Sequence, residues 1–302
     1  MELQGKKVLV VGSGKSGIGA AGLLGKIGAL PVIFDSNEKL CATDIKEKAG
    51  HIPELEVRIG LIPEEEKKEF VLVVLSPGVP ADLPMLEEYR RFSVPIWGEI
   101  ELAYEFSKGK LIAITGTNGK TTTTTLVGGI MNAYFKSVYV VGNIGNPYTD
   151  IALDTKEDTV TVAEISSFQL ETTHEFKPAV SAILNITPDH LNRHHTMECY
   201  VEMKERVAAK QTKEDTCILN YEDAYTRDFG SRCPGSVQYF SSKEELEEGV
   251  FLDGEEIVMA KRDALGNRVK QRLLNIHDMN LVGMCNVENV MAAVLICDAM
   301  NV

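Results

Sequence analysis

The stretch from Leu111 to Thr122 constrains this chain's fold more than any other. An apolar strand, Leu111 to Ile114, runs without a spacer into Thr115-Gly116-Thr117-Asn118-Gly119-Lys120-Thr121-Thr122, whose threonines open a helix. Glycines let backbone N–H groups turn inward around an anion, and the helix N-terminus adds the positive end of its dipole. In such a loop a lysine reaches the outer phosphates of a nucleotide and the next hydroxyl ligates Mg2+. A plain glycine turn before a helix accounts for Gly116 and Gly119 but not for the Gly-Lys-Thr-Thr order. The common eight-residue P-loop has its first glycine where this chain has Ile114, so the loop is a shorter form.

At 302 residues the chain is long enough for two domains. Its apolar content of 44% supplies real cores, and 25% charge is ordinary for a globular protein. A net charge of −13 argues against a general nucleic-acid or membrane-surface role, because no basic field neutralises phosphates. The six cysteines form no C-x-x-C pair and no zinc spacing, so we expect reduced and mostly buried thiols in a cytoplasmic protein. The N-terminus is polar and no apolar run reaches membrane-spanning length.

Residues 7–11 predict a buried parallel strand, 12–17 a tight turn, 19–27 a helix and 31–34 a second strand ending at Asp35, together a β-α-β unit. A further strand at 70–75 runs into Ser76-Pro77-Gly78-Val79-Pro80, a turn at the strand end where doubly wound sheets bind ligands. Helices at 83–92 and 99–106 flank a short strand at 95–97. The polar Ser107-Lys108-Gly109-Lys110 is the expected boundary, dividing a Rossmann-like domain (1–107) from a P-loop-type α/β ATPase domain (108–302). In the second part strands fall at 111–114, 138–141, 159–164, 180–185 and 216–219, then near 237–240, 250–252, 256–260 and 271–276. A last helix, about 286–300, shows one apolar face through 287, 290, 291, 294 and 295.

Gly12-Ser13-Gly14-Lys15-Ser16-Gly17 fits G-x-G-x-x-G after a strand, with Asp35 at the end of the next. Alone it suggests a diphosphate at the turn, with a dinucleotide as one identity and a purely structural turn as the bland account. Glu164 closes a strand in the same domain as the phosphate loop, a place suited to a Mg2+ ligand or to an ordinary surface carboxylate. Asp189 and His190 follow a strand and a Thr-Pro turn, with His194 and His195 close by. No Cys or second carboxylate stands at zinc spacing, so the choice lies between a histidine near phosphate-bound Mg2+ and a structural one. By pattern alone Lys204, on an expected helix at 197–209 with Glu202, Glu205 and Arg206, is a solvated surface lysine.

Together these residues resemble the Mur ligases, the ATP-dependent amide-forming enzymes of peptidoglycan precursor synthesis. Thr115 to Thr121 is similar to that family's short P-loop. Gly142-Asn143-Ile144-Gly145, Glu164-Ile165-Ser166-Ser167-Phe168-Gln169-Leu170 and Leu184-Asn185-Ile186-Thr187-Pro188-Asp189-His190-Leu191 look like its next three motifs, in order. The Ser-Ser-Phe-Gln-Leu-Glu string and the glycine-rich start are most similar to the member that adds D-glutamate to UDP-N-acetylmuramoyl-L-alanine.

The resemblance implies a UDP-sugar site in the first domain, with Lys15 and Ser16 on the diphosphate, Asp35 and Ser36 on the uracil, and Gly78 beside the same ligand. It implies ATP on Gly116, Thr117, Asn118, Gly119, Lys120, Thr121 and Thr122, with Asn286 and Asn289 near adenine. Asn143 and Ser166 face the substrate, and Thr121, Glu164, His190 and Lys204 serve two Mg2+ ions. Lys204 matches the lysine that the family carbamylates, and Lys120, Glu164, His190 and Lys204 carry the chemistry. From its charge and its lack of a long apolar run the chain is expected to be a cytoplasmic protein without nucleic-acid or membrane partners, and a monomer is the expected state. Asn192 stands where the family often has Asp, and Cys285 replaces the His common before Asn286, a change that leaves the adenine contacts less defined. The family's third, amino-acid-binding domain has no counterpart in these 302 residues, so they are expected to bind substrate without turning over. A sister ligase adding another amino acid is the near alternative, and an NAD-dependent oxidoreductase the remote one.

Overall fold

The computed structural model describes residues 1–302. Its contacts divide the chain into two compact units. The first holds residues 1–108 with the two later segments 145–156 and 168–176; the second holds 109–144, 157–167 and 177–302. The linker at 107–110 therefore marks only one of several crossings between units.

The first unit alternates β1 (Lys7–Val11), α1 (Lys15–Lys26), β2 (Leu30–Asp35), α2 (Ala42–Ala49), β3 (Glu56–Ile59), α3 (Glu64–Lys67), β4 (Phe70–Leu75), α4 (Pro84–Arg91), β5 (Ile96–Gly98) and α5 (Glu99–Phe106). The strands form one sheet in the order β3-β2-β1-β4-β5, parallel throughout. A parallel sheet is covered on both faces, which is why β1 and β4 read as unbroken Val and Leu runs and bury nearly every side chain. Leu9, Val32, Val73, Leu75, Leu86 and Tyr89 form the core on one side of it. The chain order reverses beside β1, so the turns after β1, β2 and β4 open on one crevice at their carboxyl ends. The sequence pattern misses α2 and β3: the first is largely exposed with only Ile45 buried, and the second is a four-residue edge strand. Helix α1 begins at Lys15, four residues before the expected start.

Beyond residue 109 the chain runs β6 (Lys110–Thr115), α6 (Lys120–Tyr134), β7 (Val138–Gly142), α7 (Tyr148–Ile151), β8 (Val160–Glu164), α8 (Ser167–Leu170), β9 (Val180–Ile183), α9 (Leu191–His194) and α10 (Met197–Glu205). It continues through β10 (Thr216–Asn220), α11 (Ala224–Gly230), β11 (Ser236–Ser241), β12 (Gly249–Asp253), β13 (Glu256–Arg262), β14 (Arg268–Asn275) and α12 (Met284–Ala299). The nine strands order as β14-β13-β12-β11-β10-β9-β6-β8-β7; β13 and β14 join antiparallel and the rest are parallel. Five consecutive threonines are poor helix formers in α6. Tertiary packing holds the helix instead, with Val127 and Met131 in one core with Met291 and Leu295 of α12. That last helix is buried more widely than a single apolar face, since Ala292, Ala293 and Ile296 are also inside.

Register positions the site. Ile114 of β6 lies abreast of Glu164 on one side and Ala182 on the other, and Gly142 of β7 is opposite Glu164. The ends of four adjacent parallel strands thus bring the 116–119 loop, Glu164, Asn143 and Asn185 to one edge. No helix is long and apolar enough to cross a membrane. Of the cysteines only 217, 233 and 297 are buried; 41, 199 and 285 are exposed, fewer inside than expected.

Candidate nucleotide and substrate sites

In the second unit Gly119 caps α6 at φ +85°, and a Cβ there would collide with Asn289 Oδ1. Only glycine meets both demands. Lys120 Nζ folds back over the loop, donating to Gly116 O (3.0 Å) and Thr117 O (2.9 Å). Burial lowers its pKa, against the attraction of Glu164 and Asp189. Asn185 ties down the loop's other side: its Oδ1 accepts from Asn118 N (2.8 Å) and its Nδ2 donates to Asn118 O (3.1 Å).

Glu164 is 1% exposed, so the surface reading of this residue is corrected. Its Oε2 accepts from Thr121 Oγ1 at 2.8 Å and its Oε1 from Asn143 Nδ2 at 2.9 Å. A buried carboxylate oxygen beside a hydroxyl at a phosphate loop suits Mg2+, which takes one or two protein oxygens and completes its shell with phosphate and water. No three His, Cys, Asp or Glu side chains converge as a closed metal site.

Lys204 also departs from its pattern reading. It is 2% exposed, donates to Gly116 O at 2.8 Å, and sits 4.7 Å from the Tyr200 ring centre. Burial, reinforced by the charge of Lys120 and only partly opposed by Asp189, brings its pKa down to about 7. The helix hosting it ends at Glu205, four residues early, and continues as a short 3-10 turn. Tyr200 lies one turn before Lys204, and its hydroxyl is 3.1 Å from Thr117 Oγ1. Sequence reasoning gave no role to Tyr200 or Asn185; the i, i+4 spacing of Tyr200 to Lys204 was the available signal.

His190 adopts a left-handed conformation (φ 53°) that turns the chain into α9; its Nε2 lies 3.4 Å from Asp189 Oδ2. His194, by contrast, is buried and hydrogen-bonds Ser167 Oγ through Nε2 (2.9 Å). The three histidines therefore divide rather than form one cluster. Asn286 Nδ2 donates to Val282 O (2.9 Å) and its Oδ1 accepts from Asn289 Nδ2 (3.2 Å), which sets this pair beside the phosphate loop through the Asn289–Gly119 contact.

The first unit holds a separate cavity of about 440 Å3 that brings Gly12, Asp35, Ser36 and Gly78 together with the apolar Val79 and Leu83. Asp35 spans the crevice: Oδ2 accepts from Ser13 N (3.1 Å) and Ser13 Oγ (2.6 Å), and Oδ1 from Asn37 N (3.0 Å). Burial alone would raise its pKa, but the bonds from Ser13 and Asn37 hold it below the usual carboxylate value. Lys15 Nζ donates to Gly145 O (2.6 Å), while Ser16 is half-buried on the first turn of α1.

The second unit thus sets a glycine-rich loop of phosphate-binding type beside a buried glutamate, and the first unit is a parallel sheet with its own crevice. The chain belongs to the Mur ligase family: the Mur ligase middle domain profile matches residues 114–297, and the MurD-like N-terminal domain profile residues 6–98. It is similar to the UDP-N-acetylmuramoylalanine--D-glutamate ligases of Lachnospira eligens (54% identical over 299 residues, 99% of this chain and 65% of that protein) and Lachnoclostridium phytofermentans (54%, 100% and 65%). The enzyme of that name from Clostridioides difficile is 44% identical over 98% of this chain and 64% of its own length. The chain thus spans about 65% of the length of these relatives. In fold it matches the UDP-N-acetylmuramate:L-alanyl-gamma-D-glutamyl-meso-diaminopimelate ligase of Neisseria meningitides, with TM-score 0.62 at 15% identity over 99% of this chain and 94% of that one. A murein peptide ligase from Psychrobacter arcticus matches with TM-score 0.59 at 17% identity over 99% and 66%. The family assignment removes the oxidoreductase reading of the Gly12–Gly17 turn.

Proposed function

We propose that these residues are the UDP-substrate-binding and ATP-binding parts of a ligase that adds D-glutamate to UDP-N-acetylmuramoyl-L-alanine. The observation that carries the reading is the Thr121–Glu164–Asn143 cluster at the mouth of the Gly116–Gly119 loop, with Lys120 and Lys204 on its carbonyl oxygens. The substrate carboxylate attacks the γ-phosphorus of ATP, ADP leaves, and an acyl phosphate forms. The amine of D-glutamate then attacks the acyl carbon, phosphate leaves, and the amide remains after the amine loses its protons.

Negative charge builds on phosphoryl and then acyl oxygens, so fixed positive groups lower both barriers. Lys120, released from the loop carbonyls, meets the outer phosphates, while the loop N–H groups from Gly116 to Thr122 hold the chain of phosphates. Thr121 and Glu164 would hold one Mg2+, and His190 with Lys204 a second; the ions supply charge neutralisation and in-line orientation. An ammonium cannot ligate a cation. The low pKa of Lys204 gives it a neutral amine fraction near pH 7, which can add CO2 with loss of a proton and become an oxygen ligand. Asn143 and Ser166 orient the substrate end, and Asn286 and Asn289 the adenine. In the first unit Lys15 and Ser16 take the diphosphate, and Asp35 and Ser36 the uracil, with Gly78 alongside.

The reaction also needs two anionic substrates held in line, a term worth effective molarities of roughly 10^5–10^8 M in well-oriented systems. We therefore expect the 302 residues by themselves to bind the UDP compound, bind ATP weakly and show no turnover. The protein acts as a cytoplasmic monomer in this reading. Calorimetric titration with UDP-N-acetylmuramoyl-L-alanine, beside NADH, tests it. Saturable binding of the UDP compound that disappears in Asp35→Ala supports the assignment; binding of NADH alone overturns it.

A further inference from the structure

Thr117 and Asn118 lie between glycines of positive φ, Gly116 at 154° and Gly119 at 85°. Glycine backbones have many conformations open to them, so a stretch hinged on two of them swings unless something outside holds it. The segment after β9 does so. Asn185 O accepts from Thr117 N (2.9 Å), and Thr117 Oγ1 donates to Thr187 O (3.1 Å) and accepts from Thr187 N (3.0 Å). The Asn185 side chain closes the clamp: Oδ1 accepts from Asn118 N (2.8 Å) while Nδ2 donates to Asn118 O (3.1 Å). Paired residues of an antiparallel sheet exchange two N–H···O bonds in the same way, and here a side-chain amide stands in for the second peptide. Aspartate lacks the donor, leucine lacks both groups, and glutamine is one methylene longer.

An anion site made of backbone N–H groups binds well only when those groups already point at the anion, because ordering them on binding is subtracted from the affinity. The N–H groups that open α6 follow Asn118 through the single residue Gly119, so their direction depends on where residue 118 is held. Asn289 Oδ1 fills the place of a Cβ on Gly119, so a loop displaced toward α12 would strike it. We propose that Asn185 is a positioning residue for the phosphate end of the nucleotide: by pairing with both backbone groups of Asn118 it presets the loop from which the N–H groups of α6 start. The role rests on the nucleotide reading of the Gly116–Thr121 loop, whereas the clamp is independent of it. An asparagine that only stabilised the fold would not distinguish ligands that carry phosphate from those that do not.

The test compares the 302-residue chain with Asn185→Leu, which keeps the volume and removes both side-chain bonds. Two quantities are read: amide hydrogen exchange at Asn118 without nucleotide, and affinities for Mg2+–ADP and for adenosine by ligand-observed NMR, which reaches millimolar binding. Asn185→Leu is expected to speed exchange at Asn118 about tenfold, while the Thr117 N–H, held by the backbone oxygen of residue 185, stays protected. It is expected to weaken Mg2+–ADP about tenfold, the scale of two lost hydrogen bonds, and to leave adenosine unchanged. A folded Asn185→Leu that binds Mg2+–ADP as the wild type does, or loses ADP and adenosine equally, overturns the proposal, even if its melting temperature falls. If Asn185→Leu does not fold, Asn185→Ala removes the same bonds and is judged by the same readouts. A wild-type chain that binds no Mg2+–ADP overturns the nucleotide reading and the role with it. Rapid exchange at Asn118 in the wild type would overturn the clamp itself.

Discussion

Replacing Lys204 by methionine is expected to stabilise the chain while disabling its proposed chemistry. Lys204 is 2% exposed and its pKa falls from 10.5 to about 7 in the fold. Below pH 7 the folded protein must therefore keep an ammonium where burial opposes it, at a cost of roughly 5 kcal/mol. Between pH 7 and 10.5 the unfolded chain binds the proton and the folded chain does not, so wild-type stability rises with pH across that window. Methionine fills a similar volume without the charge. It forfeits the bond to Gly116 O, worth about 1.5–3 kcal/mol, but that carbonyl still accepts from Lys120. The expected net gain at pH 6 is about 2–3 kcal/mol, and it should shrink by about 1.4 kcal/mol per pH step from 7 to 9. Urea denaturation followed by far-UV circular dichroism in CO2-free buffers at pH 6, 7, 8 and 9 measures both quantities. A wild-type chain more stable than Lys204→Met at pH 6, or a gap that does not change with pH, would refute the reasoning.

Three further outcomes are expected. Gly119→Ala places a side chain at φ +85° against Asn289, and should cost about 1–3 kcal/mol and abolish Mg2+–ADP binding; unchanged calorimetric affinity for the UDP compound is the internal control. Glu101→Gln leaves one acceptor oxygen where a carboxylate serves three backbone N–H groups, so thermal unfolding should show a loss of about 2–3 kcal/mol, and a loss under 0.5 kcal/mol would contradict the anchor role. Glu164→Gln keeps an oxygen for Asn143 but removes the charge beside Thr121. It should weaken ADP binding about tenfold in Mg2+ and leave binding in EDTA unchanged, because a neutral amide is a poor ligand for a hard cation.

What could be read in advance was local. The loop from Gly116 to Thr122 announces itself because backbone turn, cation and hydroxyl all lie within one stretch of chain. The β-branched runs of β1, β4, β6 and β8 are visible because a strand covered on both faces has no polar side to interrupt it. Short or exposed elements were not legible: α2 buries one residue and β3 sits at a sheet edge, so neither leaves a periodic apolar signature. Lys204 shows the limit most directly. Its neighbours Glu202, Glu205 and Arg206 suggest a solvated face, and only the resemblance of the ordered motifs argued otherwise.

The sequence by itself determined the family, the order of strands and helices around the two glycine turns, and the residue types available to hold phosphate. The tertiary structure alone decided that Glu164 and Lys204 lie inside, since burial depends on which distant segments cover a side chain. It also decided that the segments 145–156 and 168–176 pack with the first unit rather than with their chain neighbours. Glu99 and Glu101 look like two ordinary helix carboxylates until residues some seventy positions later fold against them. Their partners are backbone and amide hydrogens, groups present everywhere in a chain, and no local pattern says which of them a given carboxylate will meet.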